Sequence, residues 1–165
     1  MPSPKITFVH HPFPPLYDGE SAILILGSFP SVLSRENAFY YGHPANRFWR
    51  LLALVYQEKI PANINEKKAL ILAHHLALYD VIDSCEIAGS SDASIRQVVP
   101  SDLSLIKAPI RQVLLNGQKA GELFERYQKK SSDLPSVILP STSPANAAKS
   151  LEKLAEEWGP FLRED

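Results

Sequence analysis

Short apolar runs alternate with longer amphipathic segments along most of the chain. Ala22-Ile-Leu-Ile-Leu26 is continuous and apolar, the pattern of a strand buried on both faces. From Asn46 the period changes. Phe48, Leu51, Leu52 and Val55 fall at i, i+3, i+4 and i+7, predicting a helix that Pro61 must end. Residues 66–76 predict a second helix running into Leu78–Ile82, a strand. Ser101 opens a short helix that Pro109 closes. Ile110–Leu115 reads as a strand ending at Asn116-Gly117, with helix from Gln118 to Lys130 behind it. Between two strands Asn-Gly would signal a hairpin. Here Ala120, Leu123, Phe124 and Tyr127 follow at helical spacing, so a strand-to-helix turn is expected. Ser136–Leu139 is a last strand, and residues 147–158 a last helix with Ala148, Leu151, Leu154, Ala155 and Trp158 on its apolar face. Residues 1–20 are Pro-rich and read as irregular. Strands alternating with helices predict a parallel, three-layer α/β domain, with no repeat, linker or second domain in residues 1–165.

Composition narrows the class. At 165 residues, 45% apolar and 21% charged, the chain has globular values and length for a full core. The lone Cys85 excludes an internal disulfide framework and a thiolate metal cluster. The N-terminus carries no signal-peptide pattern, and no apolar run approaches the roughly 20 residues of a membrane span, so a cytoplasmic protein is expected. The net charge of −1 argues against a non-specific DNA coater, yet Arg35, His43, Arg47 and Arg50 cluster around one loop.

That loop carries the candidate chemistry. Gly27-Ser-Phe-Pro-Ser31 leaves the first buried strand, and strand exits are where open α/β sheets bind ligands. Phe29, Phe39, Tyr40 and Tyr41 offer stacking faces, Asn37 and Asn46 offer amides for base edges, and Arg47 suits phosphate. These aromatics fit a plain core wall and a sandwich for a flat ligand equally well. A second loop, Leu139-Pro-Ser-Thr-Ser-Pro-Ala-Asn146, follows the last strand. A serine hydrolase is disfavoured because the Gly-x-Ser-x-Gly elbow is absent. The adjacent pairs His10-His11 and His74-His75 lack the i, i+4 spacing of metal ligands, so no metal site is assigned.

Phe39-Tyr-Tyr-Gly-His-Pro-Ala-Asn-Arg-Phe-Trp49 resembles a segment of the mismatch-specific uracil-DNA glycosylases. With Gly-Ser-Phe-Pro-Ser ahead of it, Ser90-Ser-Asp-Ala-Ser-Ile-Arg96, and the Leu139–Asn146 loop, the chain is more similar still to the hypoxanthine-DNA (deoxyinosine) glycosylase branch of that superfamily. The resemblance covers about residues 8–160. It implies a four-stranded parallel sheet between helices and DNA across the C-terminal strand ends. It also implies metal-free, cofactor-free hydrolysis of the N-glycosidic bond of a deaminated base. Two positions depart from the wider superfamily. Phe29 stands where most members carry a water-positioning Asn or Asp, and Leu139 where many carry His or Asn. In the hypoxanthine branch the catalytic amide maps onto Asn46.

For such a reaction Tyr41, with Phe29 as second wall, is expected to stack on the flipped base, backbone N–H groups around Ser28 and Phe29 to stabilise the departing base, and Gly27 and His43 to stand beside it. On the DNA side Arg47 suits phosphate. Ser141, Thr142 and Ser143 are expected to hydrogen-bond phosphate with backbone N–H groups of the following helix, Pro144 or Ala145 to wedge into the gap, and Asn146 to read the widowed partner. No carboxylate in these motifs is placed to activate water; Asp92 in the Ser90–Arg96 segment is a weaker candidate, with capping of a surface loop its more expected role. The expected partner is DNA containing a deaminated base, and a monomer is expected. The alternative is a non-catalytic binder of damaged DNA or nucleotides. A free-nucleoside hydrolase would share the stacking but need no wedge.

Overall fold

A computed structural model describes residues 5–128 and 133–163. Its centre is a four-stranded parallel sheet, formed by β2 (Ile23–Gly27), β3 (Leu76–Asp80), β6 (Gln112–Asn116) and β7 (Ser136–Leu139) in the order β3-β2-β6-β7. β2 and β3 are wholly buried and β6 is buried at its centre, as continuous apolar sequence requires when both faces are covered. Helices α1 (Val32–Asn37), α2 (Phe48–Tyr56), α3 (Ile64–Ala73), α4 (Gln118–Tyr127) and α5 (Leu151–Leu162) flank it. The expected parallel α/β architecture is therefore present.

A second sheet was not expected. β1 (Ile6–His10), β4 (Ile82–Ala88) and β5 (Arg96–Pro100) pair antiparallel in the order β1-β4-β5. Within the segment expected to be irregular, Ile6–His10 is a strand: Ile6-Thr-Phe-Val is a β-branched and aromatic run that pairs with β4 despite its Pro-rich flanks, while residues 11–20 form no helix or strand. The strand expected over Leu78–Ile82 straddles a corner. β3 ends at Asp80, and after Val81 the chain passes directly into β4. Val81 N–H bonds to Gly27 O at 2.8 Å and Ile82 N–H to Ser28 O at 3.2 Å, fixing that corner against the exit of β2.

The last helix starts later than its apolar spacing suggests. Ser150 caps α5 by accepting from Lys153 N–H (3.2 Å), which leaves Ala148 exposed in the preceding loop. Asn116-Gly117 is the expected strand-to-helix turn. Gly117 sits at φ 98°, and a Cβ there would lie 3.0 Å from Ser141 Cβ, so both backbone angle and space require glycine. The part of the expected α4 at Lys129–Lys130 lies outside the described residues. No helix among the described residues is long and apolar enough to cross a membrane.

This topology brings four strand ends together. Gly27 pairs with Asp80 in register, and Asn116 with Leu139. Everything that follows is built on that edge.

Candidate active site

A cavity of about 380 Å³ opens over the C-terminal ends of β2, β3 and β6, within the usual range for small-ligand sites. Gly27, Ser28 and Phe29 line it from the exit of β2, and Tyr41, His43 and Asn46 from the loop before α2. Ser141, Thr142, Ser143, Pro144 and Ala145 line it from the loop after β7. The two segments singled out in the sequence, more than 90 residues apart, thus meet around one space. Arg47 and Asn146 stand behind the wall rather than in it.

Hydrogen bonds fix how the loops meet. Asn116 grips Thr142 twice: its Nδ2 donates to Thr142 Oγ1 (3.1 Å) and its Oδ1 accepts from Thr142 N–H (3.0 Å). The Thr142 hydroxyl therefore directs its single proton onward, to Asn46 Oδ1 at 2.9 Å. Asn46 Oδ1 also accepts from Phe48 N–H at 2.9 Å. Two donors on one oxygen set the amide orientation, and the Asn46 NH₂ is the end left for the cavity. A chain of donors ending on a carbonyl polarises the amide and strengthens its N–H groups.

Thr142 was expected on a phosphate. It is fully buried, and it positions Asn46 instead. Arg47 is also redirected. Its guanidinium donates to the carbonyls of Lys149, Ser143 (3.3 Å) and Asn146 (2.8 Å), while its N–H reaches Thr142 O (3.0 Å). A planar fork suits several carbonyls at once, and Arg47 clamps the second loop by them. Asn146 turns inward on that same loop, its Nδ2 donating to Ser141 O (3.0 Å). Pro144 and Ala145 are exposed at the mouth.

The aromatics divide between the two readings left open. Phe39 is core, stacked on Trp49 at 6.0 Å between centroids, and Tyr40 is buried in the core while bordering the cavity. Tyr41 and Phe29 face both ways. Tyr41 occupies the left-handed region (φ 52°), an uncommon conformation for a bulky residue and one found at functional sites. That angle stacks one face of its ring on Phe48 (4.1 Å) while the residue lines the cavity. Phe29 is 9% exposed and also lines it. His43 is exposed at the rim, where its Nδ1 accepts from Ala45 N–H (3.0 Å) and Nε2 carries the proton.

The motifs did not reveal Asp80, and they left Asp92 as a weaker candidate. Asp80 lines the cavity from the end of β3, beneath Gly27. Its Oδ2 lies 2.7 Å from His11 Nε2, and His11 Nδ1 lies 2.7 Å from Phe13 O. Asp92 lines the rim and accepts from the Ser28 hydroxyl (3.0 Å). Partial burial holds its carboxyl above the usual range, opposed by the Ser28 bond and by Lys119. Asp92 thus faces the cavity instead of merely capping a surface loop. Both Asp80 and Asn116 sit at strand ends, and that position was the available signal for them. His11 had none: its role depends on a strand pairing that the Pro-rich flanks obscured.

Comparison with known proteins bears on the family and the fold. The profile of the uracil DNA glycosylase superfamily matches residues 14–162. A protein of Methanosarcina barkeri named hypoxanthine DNA glycosylase is 34% identical over 150 residues, 88% of this chain and 93% of that one. Its namesake from Methanosarcina acetivorans is 35% identical over 155 residues, 92% of this chain and 96% of the other. A solution NMR structure of a Methanosarcina acetivorans protein, provisionally assigned as a uracil DNA glycosylase, superposes with a TM-score of 0.79 at 30% identity. That match covers 95% of this chain and 98% of the other. A cavity at the strand ends, walled by these two loops, is thus carried by a chain that belongs to the uracil DNA glycosylase superfamily.

Proposed function

We propose that this protein is a monofunctional DNA glycosylase that hydrolyses the N-glycosidic bond of a deaminated base in DNA, hypoxanthine foremost, and that it works as a monomer. The observation that carries the reading is the Asn46 amide, held by Thr142 and Phe48 N–H with its NH₂ toward the cavity.

The target bond lies inside the duplex, so the nucleotide must rotate out, at a cost of a few kcal/mol that is least for a mispaired base. Tyr41 and Phe29 receive it. Base stacking on an aromatic side chain is worth about 1–3 kcal/mol, which offsets much of the unstacking. Pro144 and Ala145, exposed at the mouth, fill the gap left behind.

Bond cleavage places negative charge on the departing base and positive charge on the sugar. An amide does not titrate, so Asn46 is not a general base. With its oxygen occupied twice, it does not hold water by that oxygen either. It donates N–H to the departing base, where preorganised donors act most strongly. Asp92, beside the Ser28 hydroxyl, is the carboxylate whose field favours cationic sugar character; Asp80 is paired with His11 and adds no net charge. Asp80 thus joins Asp92, the weaker candidate of the sequence, at the cavity.

The test is incubation with end-labelled duplexes carrying one hypoxanthine, xanthine or uracil, with EDTA present, followed by hot alkali. Protein-dependent scission, strongest at hypoxanthine, is expected. No scission at any lesion would leave a non-catalytic binder of damaged DNA.

A further inference from the structure

Hydrolysis needs a water at C1′, and the Asn46 oxygen is already filled twice. Among the described side chains that line the cavity, His43, Asp80 and Asp92 are the types that serve as general bases. His43 Nδ1 is occupied by Ala45 N–H (3.0 Å). Asp80 is buried at the cavity floor, its Oδ1 packed against Gly27 and its Oδ2 2.7 Å from His11 Nε2. The His11 ring is itself enclosed by Phe13, Tyr79, Phe29 and Tyr40. Asp92 stands open to solvent at the rim, so water reaches it.

Asp92 belongs to a third loop, between β4 and β5, that is fastened to the exit of β2. Val32 N–H donates to Ser90 Oγ (2.8 Å), Arg35 Nη2 to Gly89 O (2.6 Å), and the Ser28 hydroxyl to Asp92 Oδ1 (3.0 Å). Within the loop, Ser94 Oγ accepts from Ala88 N–H (2.8 Å) and donates to Ser91 O (2.7 Å). The single proton of Ser28 is thus committed to Asp92. Oδ1 is held, and among the described residues no hydrogen bond takes Oδ2.

We propose that Asp92 is the general base of the reaction, with Ser28 as its positioning residue. The inference rests on the glycosylase reading of the site and deepens it. The C1′–N bond breaks with its electron pair going to the base, where the Asn46 NH₂ meets the charge. The water oxygen bonds to C1′, and the proton it sheds passes to Asp92 Oδ2 and on to solvent. The base anion takes a proton from solvent. One water is consumed, and the products are the free base and an abasic site with a hydroxyl at C1′. Three groups on neighbouring elements face Asp92. Lys119 on α4 favours the carboxylate, Asp80 on β3 is paired with His11, and Cys85 on β4 has its thiol pushed up to about 11 by burial and stays neutral.

The test is single-turnover excision of hypoxanthine from duplex DNA between about pH 4 and pH 9. The wild-type rate should fall toward acid along a limb above the ordinary aspartate range, as Asp92 takes up its proton. Asp92→Asn should be about 100-fold slower, with that limb gone and affinity for abasic DNA unchanged. Asp92→Glu keeps the charge but carries the oxygens one carbon further, and it should recover little of the rate. Ser28→Ala should slow excision by about tenfold and move the limb to higher pH, because the bond that favoured the carboxylate is lost. A merely structural Ser28 would leave the limb in place. Asp92→Asn at the wild-type rate, a limb that persists in it, or Asp92→Glu as fast as wild type would each overturn the proposal. The wild-type profile also decides without a variant, since a rate that stays flat to the acid end overturns it. Wild-type protein that cleaves at no lesion would instead sink the glycosylase reading, and this inference with it.

Discussion

The floor and the rim of the cavity are built differently. At the floor, Asp80 and His11 are sealed among aromatic rings, and Gly27 leaves no room to spare. At the rim, His43, Pro144 and Ala145 stand in solvent on loops held by side chain–to–backbone bonds. A buried, packed floor selects by fixed geometry, whereas an exposed rim adapts to the DNA backbone and to the space a flipped base vacates. Asn46 joins the two. It sits in a rim loop, but Thr142 and Asn116 tie it to the end of β6.

Substitutions separate these layers. Asn46→Ala should have the largest effect, slowing excision by about 10²–10³, the usual cost of losing one preorganised donor; affinity for abasic DNA should stay near wild type. Gly27→Ala should come next. Its Cβ lands on Asp80 and Tyr41, displacing the base, and a misplacement of about 1 Å costs on the order of 10² in rate. Single-turnover kinetics and the melting temperature would show whether the floor tolerates it. Thr142→Val keeps the shape but removes the hydroxyl between Asn116 and Asn46. Excision should fall about tenfold, with about 1–3 kcal/mol lost in urea unfolding. Smallest is the outermost rim. Pro144→Gly with Ala145→Gly should slow excision from duplex severalfold while leaving a single-stranded substrate unchanged, since only a duplex leaves a gap to fill. Equal slowing on both would remove the wedge.

The rim was more legible than the floor for a physical reason. Phe39–Trp49 and Leu139–Asn146 are contiguous, so their composition exposes a ligand-facing loop without knowledge of packing. Even there, individual roles were hidden. Nothing in the sequence says that Thr142 is buried or that the Arg47 fork is filled by three carbonyls. The parallel strands were readable from continuous apolar runs. β1 was not, because four of its five residues are exposed and prolines stand two positions from either end. The loss of β1 took the floor with it. His11 follows that strand, and Asp80 lay inside a run, Leu78–Ile82, that reads as one strand but turns a corner after Asp80.

The measurement that goes furthest is single-turnover excision of hypoxanthine by Asn46→Asp beside wild type. The carboxylate keeps the oxygen that Thr142 and Phe48 N–H hold, and replaces the NH₂ with an acceptor. If Asn46 acts by donating to the departing base, Asn46→Asp should be as slow as Asn46→Ala. A rate at or above wild type would contradict the account, because it would make the residue a site for activating water.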